Sequence, residues 1–177
     1  MFLDLLRKRR SIRQYQDRPV EGEKVEQLTE AMLRAPSSRG LNPWEFVVVT
    51  DKETLESLSR AKQHGSAFAK GAPLAIVVLG DPARGDVWIE DCSIAALVIH
   101  LAAADLGLGS CWIQVRKRDH DGKTSAEDYV RGVLGVRPEL QVEAIIAIGY
   151  PKEEKAGHPR ATLPWDKVSH NRYGEKT

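Results

Sequence analysis

The residues best suited to chemistry form a basic cluster near the start of the chain: Arg7, Lys8, Arg9, Arg10 and Arg13, with Ser11 inside it. An arginine guanidinium is a planar fork that makes paired, charge-assisted hydrogen bonds to phosphate. A serine hydroxyl and loop amides can complete such a cradle. The same charges would also suit the solvated C-terminal end of a short helix, where they favour the helix dipole. The cluster by itself leaves both readings open. A second group, Pro36-Ser37-Ser38 followed by Asn42-Pro43-Trp44, offers hydroxyls and an amide to the polar edge of a heterocycle or a ribityl chain. Those side chains could equally bond their own backbone in a turn. A third group runs from Gly107 into Ser110-Cys111-Trp112-Ile113-Gln114, a turn entering a strand. Nothing near Cys111 would activate a thiol, so it is expected to be a small core residue. His100 sits in an apolar stretch and is expected to be a satisfied core histidine. His64, His120, His158 and His170 show no metal-ligand spacing, so no metal site is expected. No Ser-centred nucleophile elbow, Gly-x-Gly-x-x-Gly or P-loop is present. A self-sufficient hydrolase and a P-loop enzyme are therefore unsupported, and no catalytic side chain is assigned.

These groups need elements to hold them. Phe2, Leu3, Leu5 and Leu6 suggest a short amphipathic helix ending in the basic run. Val25, Leu28, Ala31, Met32 and Ala35 recur at helical spacing, predicting a helix over about 23–34. Residues 36–43 are a loop by composition. Trp44 to Thr50 is a predicted strand, aromatic and β-branched. Asp51 is a candidate N-cap for a helix through about Lys62. Ala75–Leu79 is an apolar run without alternation, expected to be a strand buried on both faces. Asp86 to Leu106 is predicted as one long helix, apolar nearly all round, as for a helix buried inside a domain or at a subunit interface. Cys111 to Val115 and Val142 to Ile148 are further strands. Between them Ser125 and Asp128 have the spacing of a helix cap. Strands joined by helices imply an α/β-like or α+β class with a central sheet. The tail from Pro151 carries Leu163, Trp165, Val168 and Tyr173 without periodicity, which suits an arm packed on the body or on a partner better than a disordered tail.

The chain has 177 residues, a length expected of one domain, with 42% hydrophobic and 29% charged residues and a formal net charge of +1. That balance argues against a strongly basic nucleic-acid binder. Two cysteines exclude a disulfide scaffold. The apolar residues at the start precede the basic ones, the reverse of a secretory signal, and no stretch has the clean apolar length of a membrane span. A reduced, soluble, cytoplasmic protein without membrane or nucleic-acid partners is expected.

Taken together, the motifs resemble the nitroreductase family of FMN-dependent oxidoreductases. The resemblance rests on Arg9-Arg-Ser-Ile-Arg-Gln-Tyr15, Ala35-Pro-Ser-Ser38 with Asn42-Pro-Trp44, Leu106-Gly-Leu-Gly-Ser-Cys-Trp-Ile113, Ile148-Gly-Tyr-Pro151 and Asn171-Arg-Tyr-Gly174, in an order that covers nearly the whole chain. It implies an α+β fold with a mainly antiparallel central sheet flanked by helices. It also implies one FMN-binding domain over 1–177 with 151–177 as a C-terminal arm, and an intertwined homodimer with FMN at the interface. Arg9, Arg10, Ser11 and Arg13 fall where the family binds phosphate, ribityl and the pyrimidine edge. Pro36, Ser37, Ser38 and Asn42 fall where the partner subunit closes the site. Trp112, Ile113 and Gln114 lie on the strand against the ring, and Arg160 matches a second phosphate-binding arginine. His158 stands where many members carry Lys. The implied activity is hydride transfer from NAD(P)H through tightly bound, non-covalent FMN to a small electron-poor acceptor, such as a nitroaromatic or quinone, in a ping-pong cycle. The alternatives are a flavin protein of the same fold with another reaction (reductive dehalogenation, flavin fragmentation) or without turnover, and a basic-arm interaction protein.

Overall fold

The computed structural model describes residues 1–176; Thr177, the last residue of the expected arm, lies outside the described residues. The chain folds in the order α1 (Phe2–Lys8), α2 (Gly22–Leu33), β1 (Trp44–Val49), α3 (Lys52–Ser59), β2 (Leu74–Gly80), α4 (Trp88–Asp105), β3 (Gly109–Gln114), α5 (Ala126–Leu134) and β4 (Gln141–Gly149). Short 3-10 turns occur at Ser38–Gly40, Ala67–Gly71, Arg160–Thr162 and Trp165–Lys167. The four strands form one sheet in the order β1-β2-β4-β3, and every neighbouring pair is antiparallel. Val49, at the end of β1, pairs with Ala75 near the start of β2, so the chain re-enters the sheet at the end where it left. The class is α+β.

β2 has no polar alternation, yet it keeps a strand's period of two. Ala75, Val77 and Leu79 join a core with Leu55, Leu58, Ile113, Val130 and Ile145. Leu74, Ile76 and Val78 join a second core with Leu28, Met32, Ala96, Ile99, Ile146 and Ile148. Both faces are covered, by α3 and α5 on one side and α2 and α4 on the other. The apolar run therefore reports burial, not strand direction. α3 is capped by Asp51, whose Oδ2 accepts from Thr54 N at 2.8 Å, and it stops at Ser59, short of the expected Lys62. α5 is capped by Ser125, whose Oγ accepts from Asp128 N at 2.9 Å. It ends at Gly135 with φ 64°, a left-handed conformation that glycine adopts without strain.

The segment that carries the basic cluster is tied to the sheet. Ile12 N donates to Ser110 O at 3.0 Å, and Ser11 bridges Ser110 in parallel alongside β3. The Tyr15 hydroxyl lies 2.6 Å from Ile12 O and 3.1 Å from Ala147 O. A Cβ on Gly109 would lie 2.8 Å from Ile12 Cβ, so this approach requires glycine. Beyond β4 the tail crosses the end of α1 at Gly157, where a Cβ would collide with Arg7 O. From there Leu163, Trp165, Val168 and Tyr173 are exposed. Among the described residues no helix is long and apolar enough to cross a membrane.

Candidate functional site

A cleft of about 260 Å³ opens where α1 ends, α4 ends and β3 begins. Its walls include Lys8, Arg9, Arg10, Gly109, Ser110 and Lys155. Among the described residues Lys8, Arg9 and Arg10 form no ion pair, whereas Lys155 pairs with Glu153 at 2.9 Å. Unpaired like charges around one depression repel each other, and an anion relieves that repulsion. The Arg10 guanidinium donates to Ala156 O and Lys155 Nζ donates to Ser11 O at 3.1 Å, so the tail forms one wall. Lys155 was not anticipated from the sequence. His158, three residues later, is exposed. The only signal for Lys155 was its place shortly after Pro151.

Behind the cleft, His100 Nδ1 lies 2.7 Å from Ser110 Oγ. Burial, and then the neighbouring Arg9 charge, push the His100 pKa down to about 4, so the ring is neutral near pH 7. The expected role as a satisfied core histidine agrees with this geometry. Cys111 is buried, and burial raises its pKa, which fits an inert core thiol. No group of metal-ligating side chains occurs among the described residues.

Arg13 does not line this cleft. Its guanidinium carbon lies 5.8 Å from the centre of the Phe68 ring, and its backbone N donates to Glu153 Oε1 at 2.6 Å. Phe68, in the Ala67–Gly71 turn, carries no local sequence signal that marks it as a neighbour of Arg13. On β3, Trp112 Nε1 donates to Gln114 Oε1 at 2.9 Å, and Gln114 Nε2 donates to Arg116 O at 3.0 Å. Ile113 points to the opposite face and is fully buried among α3 and α5, so only its backbone faces a ligand on that edge.

Pro36, Ser37 and Ser38 line a different groove, of about 360 Å³, with Val87, Glu90, Asp91 and Ile94 of the α4 region. Ser37 Oγ donates to Asn42 Oδ1 at 2.7 Å and accepts from Asn42 N at 2.9 Å. Asn42 has φ 48°, a left-handed value that Asn tolerates better than most residues. Asp91 and Ala104, one on each depression, are thirteen residues apart on α4. That is about 20 Å along the helix. Arg160 lies in the tail, exposed, 4.8 Å from the Trp165 ring centre, and does not line the basic cleft.

The order of these parts along the sheet has a counterpart among known proteins. A profile described as "Nitroreductase family" matches residues 6–64 and 56–150. The chain belongs to the nitroreductase family. A relative from Archaeoglobus fulgidus is 39% identical over 157 residues, covering 86% of this chain and 87% of its own. A Thermus thermophilus protein named "NADH dehydrogenase" is 31% identical over 197 residues, covering 91% of each chain. The solved structure of an "FMN-dependent Nitroreductase" from Clostridium difficile superposes with a TM-score of 0.95 at 50% identity, covering 97% of this chain and 99% of that one. The antiparallel sheet flanked by helices is thus the nitroreductase fold.

Proposed function

We propose that this chain binds FMN non-covalently and couples NAD(P)H oxidation to reduction of a small electron-poor acceptor, such as a nitroaromatic or quinone, in a ping-pong cycle. The coarser statement follows from its family: the chain is an NAD(P)H-dependent oxidoreductase. The observation that supports FMN most directly is the basic cleft. Lys8, Arg9 and Arg10 converge there without carboxylate partners among the described residues, beside the turn into β3, which lacks side-chain bulk at Gly107 and Gly109. Such a cradle fits a phosphate and a ribityl chain.

In this reading Arg9, Arg10 and Ser11 hold the phosphate and ribityl groups, and Arg13 serves the pyrimidine edge. Trp112 and Gln114 back the ring, with Ile113 contributing its backbone. Bound FMN supplies the redox chemistry. The protein's own contribution is to bind, orient and bias charge. Arg13 holds positive charge at the ring edge, which favours the electron-rich form.

The second set, Pro36, Ser37, Ser38 and Asn42, sits about 20 Å away along α4, so in this reading it serves the site of a second copy. A homodimer also accounts for exposed apolar residues on α1 and α4: Phe2, Leu3, Leu6, Ile94 and Leu97. Residues 1–177 then act as one flavin-binding domain with 151–177 as its C-terminal arm; Arg160, which lies outside this chain's basic cleft, is assigned to the phosphate by the family resemblance alone. The test is the visible spectrum and sedimentation of the purified protein. The expected result is a yellow dimer that releases FMN on denaturation. Released FAD, no flavin after reconstitution, or a flavin-bound monomer at micromolar concentration would refute the reading.

A further inference from the structure

Asp91 is 3% exposed on α4, a helix of 18 residues packed against the sheet. Its Oδ1 accepts the backbone N–H of Ser38 at 2.8 Å. Its Oδ2 is buried and meets no donor among the described residues. The carboxylate therefore does not complete a polar network inside the subunit. Its one bond runs to the loop that carries Pro36, Ser37 and Ser38.

That loop needs holding. Arg39 and Asn42 have φ 54° and 48°, left-handed values that a non-glycine residue keeps only where its surroundings impose them. Ser37 and Asn42 bond each other across the loop, and Arg39 pairs with Asp86 at the surface. Those contacts shape the loop internally or on its solvent side. The Asp91–Ser38 bond alone ties it to a buried side chain of a rigid element. A hydrogen bond to a charged acceptor is stronger than a neutral one, and it strengthens further where water is excluded.

We infer that Asp91 is a positioning residue: it fixes the Pro36–Asn42 loop so that Ser37 and Ser38 meet the cofactor bound by a second copy. This rests on the FMN reading above. It assigns Asp91 no contact with the reacting atoms, only control over where the loop's hydroxyls stand.

The test uses the full-length protein, prepared with and without FMN, and three variants. Asp91→Ala removes the acceptor. Asp91→Asn keeps the shape and an oxygen for Ser38, and covers the case in which the alanine variant does not fold. Asp86→Ala removes only the surface pair on the same loop. Exchange of the Ser38 amide is followed by NMR in the flavin-free protein, and the FMN dissociation constant by quenching of flavin fluorescence. Asp91→Ala is expected to speed Ser38 exchange and weaken FMN binding, each about tenfold or more, with the dimer intact by sedimentation; tenfold is what a bond of this kind supports. Asp91→Asn should restore both to within about threefold, and Asp86→Ala should leave FMN affinity within about twofold. A merely structural residue would lower the melting temperature without this selective loss and rescue. Unchanged Ser38 exchange in Asp91→Ala overturns the clasp. A freed Ser38 with unchanged FMN affinity overturns its link to the cofactor. A native protein that binds no FMN overturns the underlying flavin reading, and that result is seen before any variant is made.

Discussion

His100 couples the region behind the basic cleft to pH. It is 8% exposed and packs its Nδ1 2.7 Å from Ser110 Oγ. In the folded chain its pKa is lowered from 6.5 to about 4, first by burial and then by Arg9. A base with a depressed folded pKa is bound in its neutral form, so the unfolded chain takes up more protons between those two values. Stability is then fully present above the unfolded pKa, near 6.5, and is lost as pH falls from there toward 4. Linkage with these two values gives a loss of roughly 2 kcal/mol on going from about pH 7.5 to about pH 5. For a chain of this size that is on the order of 4–8 °C in melting temperature. His100→Gln cannot titrate, and its amide can still bond Ser110. The expected result is that native protein loses about 2 kcal/mol more than His100→Gln over that interval. Urea unfolding at fixed protein and FMN concentration, repeated at several pH values, reads this difference. Two stability profiles running parallel within about 0.5 kcal/mol would refute the reasoning, because His100 would then titrate alike in both states.

Arg9→Ala and Arg160→Ala should each raise the FMN dissociation constant tenfold to about a hundredfold, the worth of one charge-assisted phosphate contact. Fluorescence titration checks this, and unchanged affinity would remove the residue concerned from the site. Arg13→Ala should lower the midpoint potential of bound flavin and slow its reduction by NAD(P)H, since positive charge beside the ring is lost; anaerobic stopped-flow and a redox titration decide it. Gly109→Ala puts a methyl 2.8 Å from Ile12 Cβ and should cost about 1–3 kcal/mol of stability. Thermal melts check this, and a melting temperature unchanged from the native protein would refute the close approach of the two residues.

The sequence determined the elements and the motif-bearing residues. Every expected strand formed within about two residues of its predicted bounds, and α4 is the long apolar helix the sequence indicates. Local signals sufficed because hydrophobic period and capping are properties of neighbouring residues: Asp51 caps through Thr54, and Ser125 through Asp128. Strand direction was not legible in the residues themselves, because β2 shows only that both faces are buried. The resemblance supplied the antiparallel arrangement, and the structure agrees. What only the tertiary structure decided is which residues meet. Lys155 reaches the basic cleft from the tail, Phe68 comes under Arg13, and Asp91 clasps Ser38 across 53 positions of chain. Ile113, grouped with Trp112 and Gln114 by sequence, turns to the opposite face because side chains alternate along a strand. The resemblance assigned the two halves of the candidate site to different subunits, but no residue pattern says how far apart one chain holds them. Only the packed helix α4, with Asp91 toward one end and Ala104 toward the other, shows that one chain holds them about 20 Å apart.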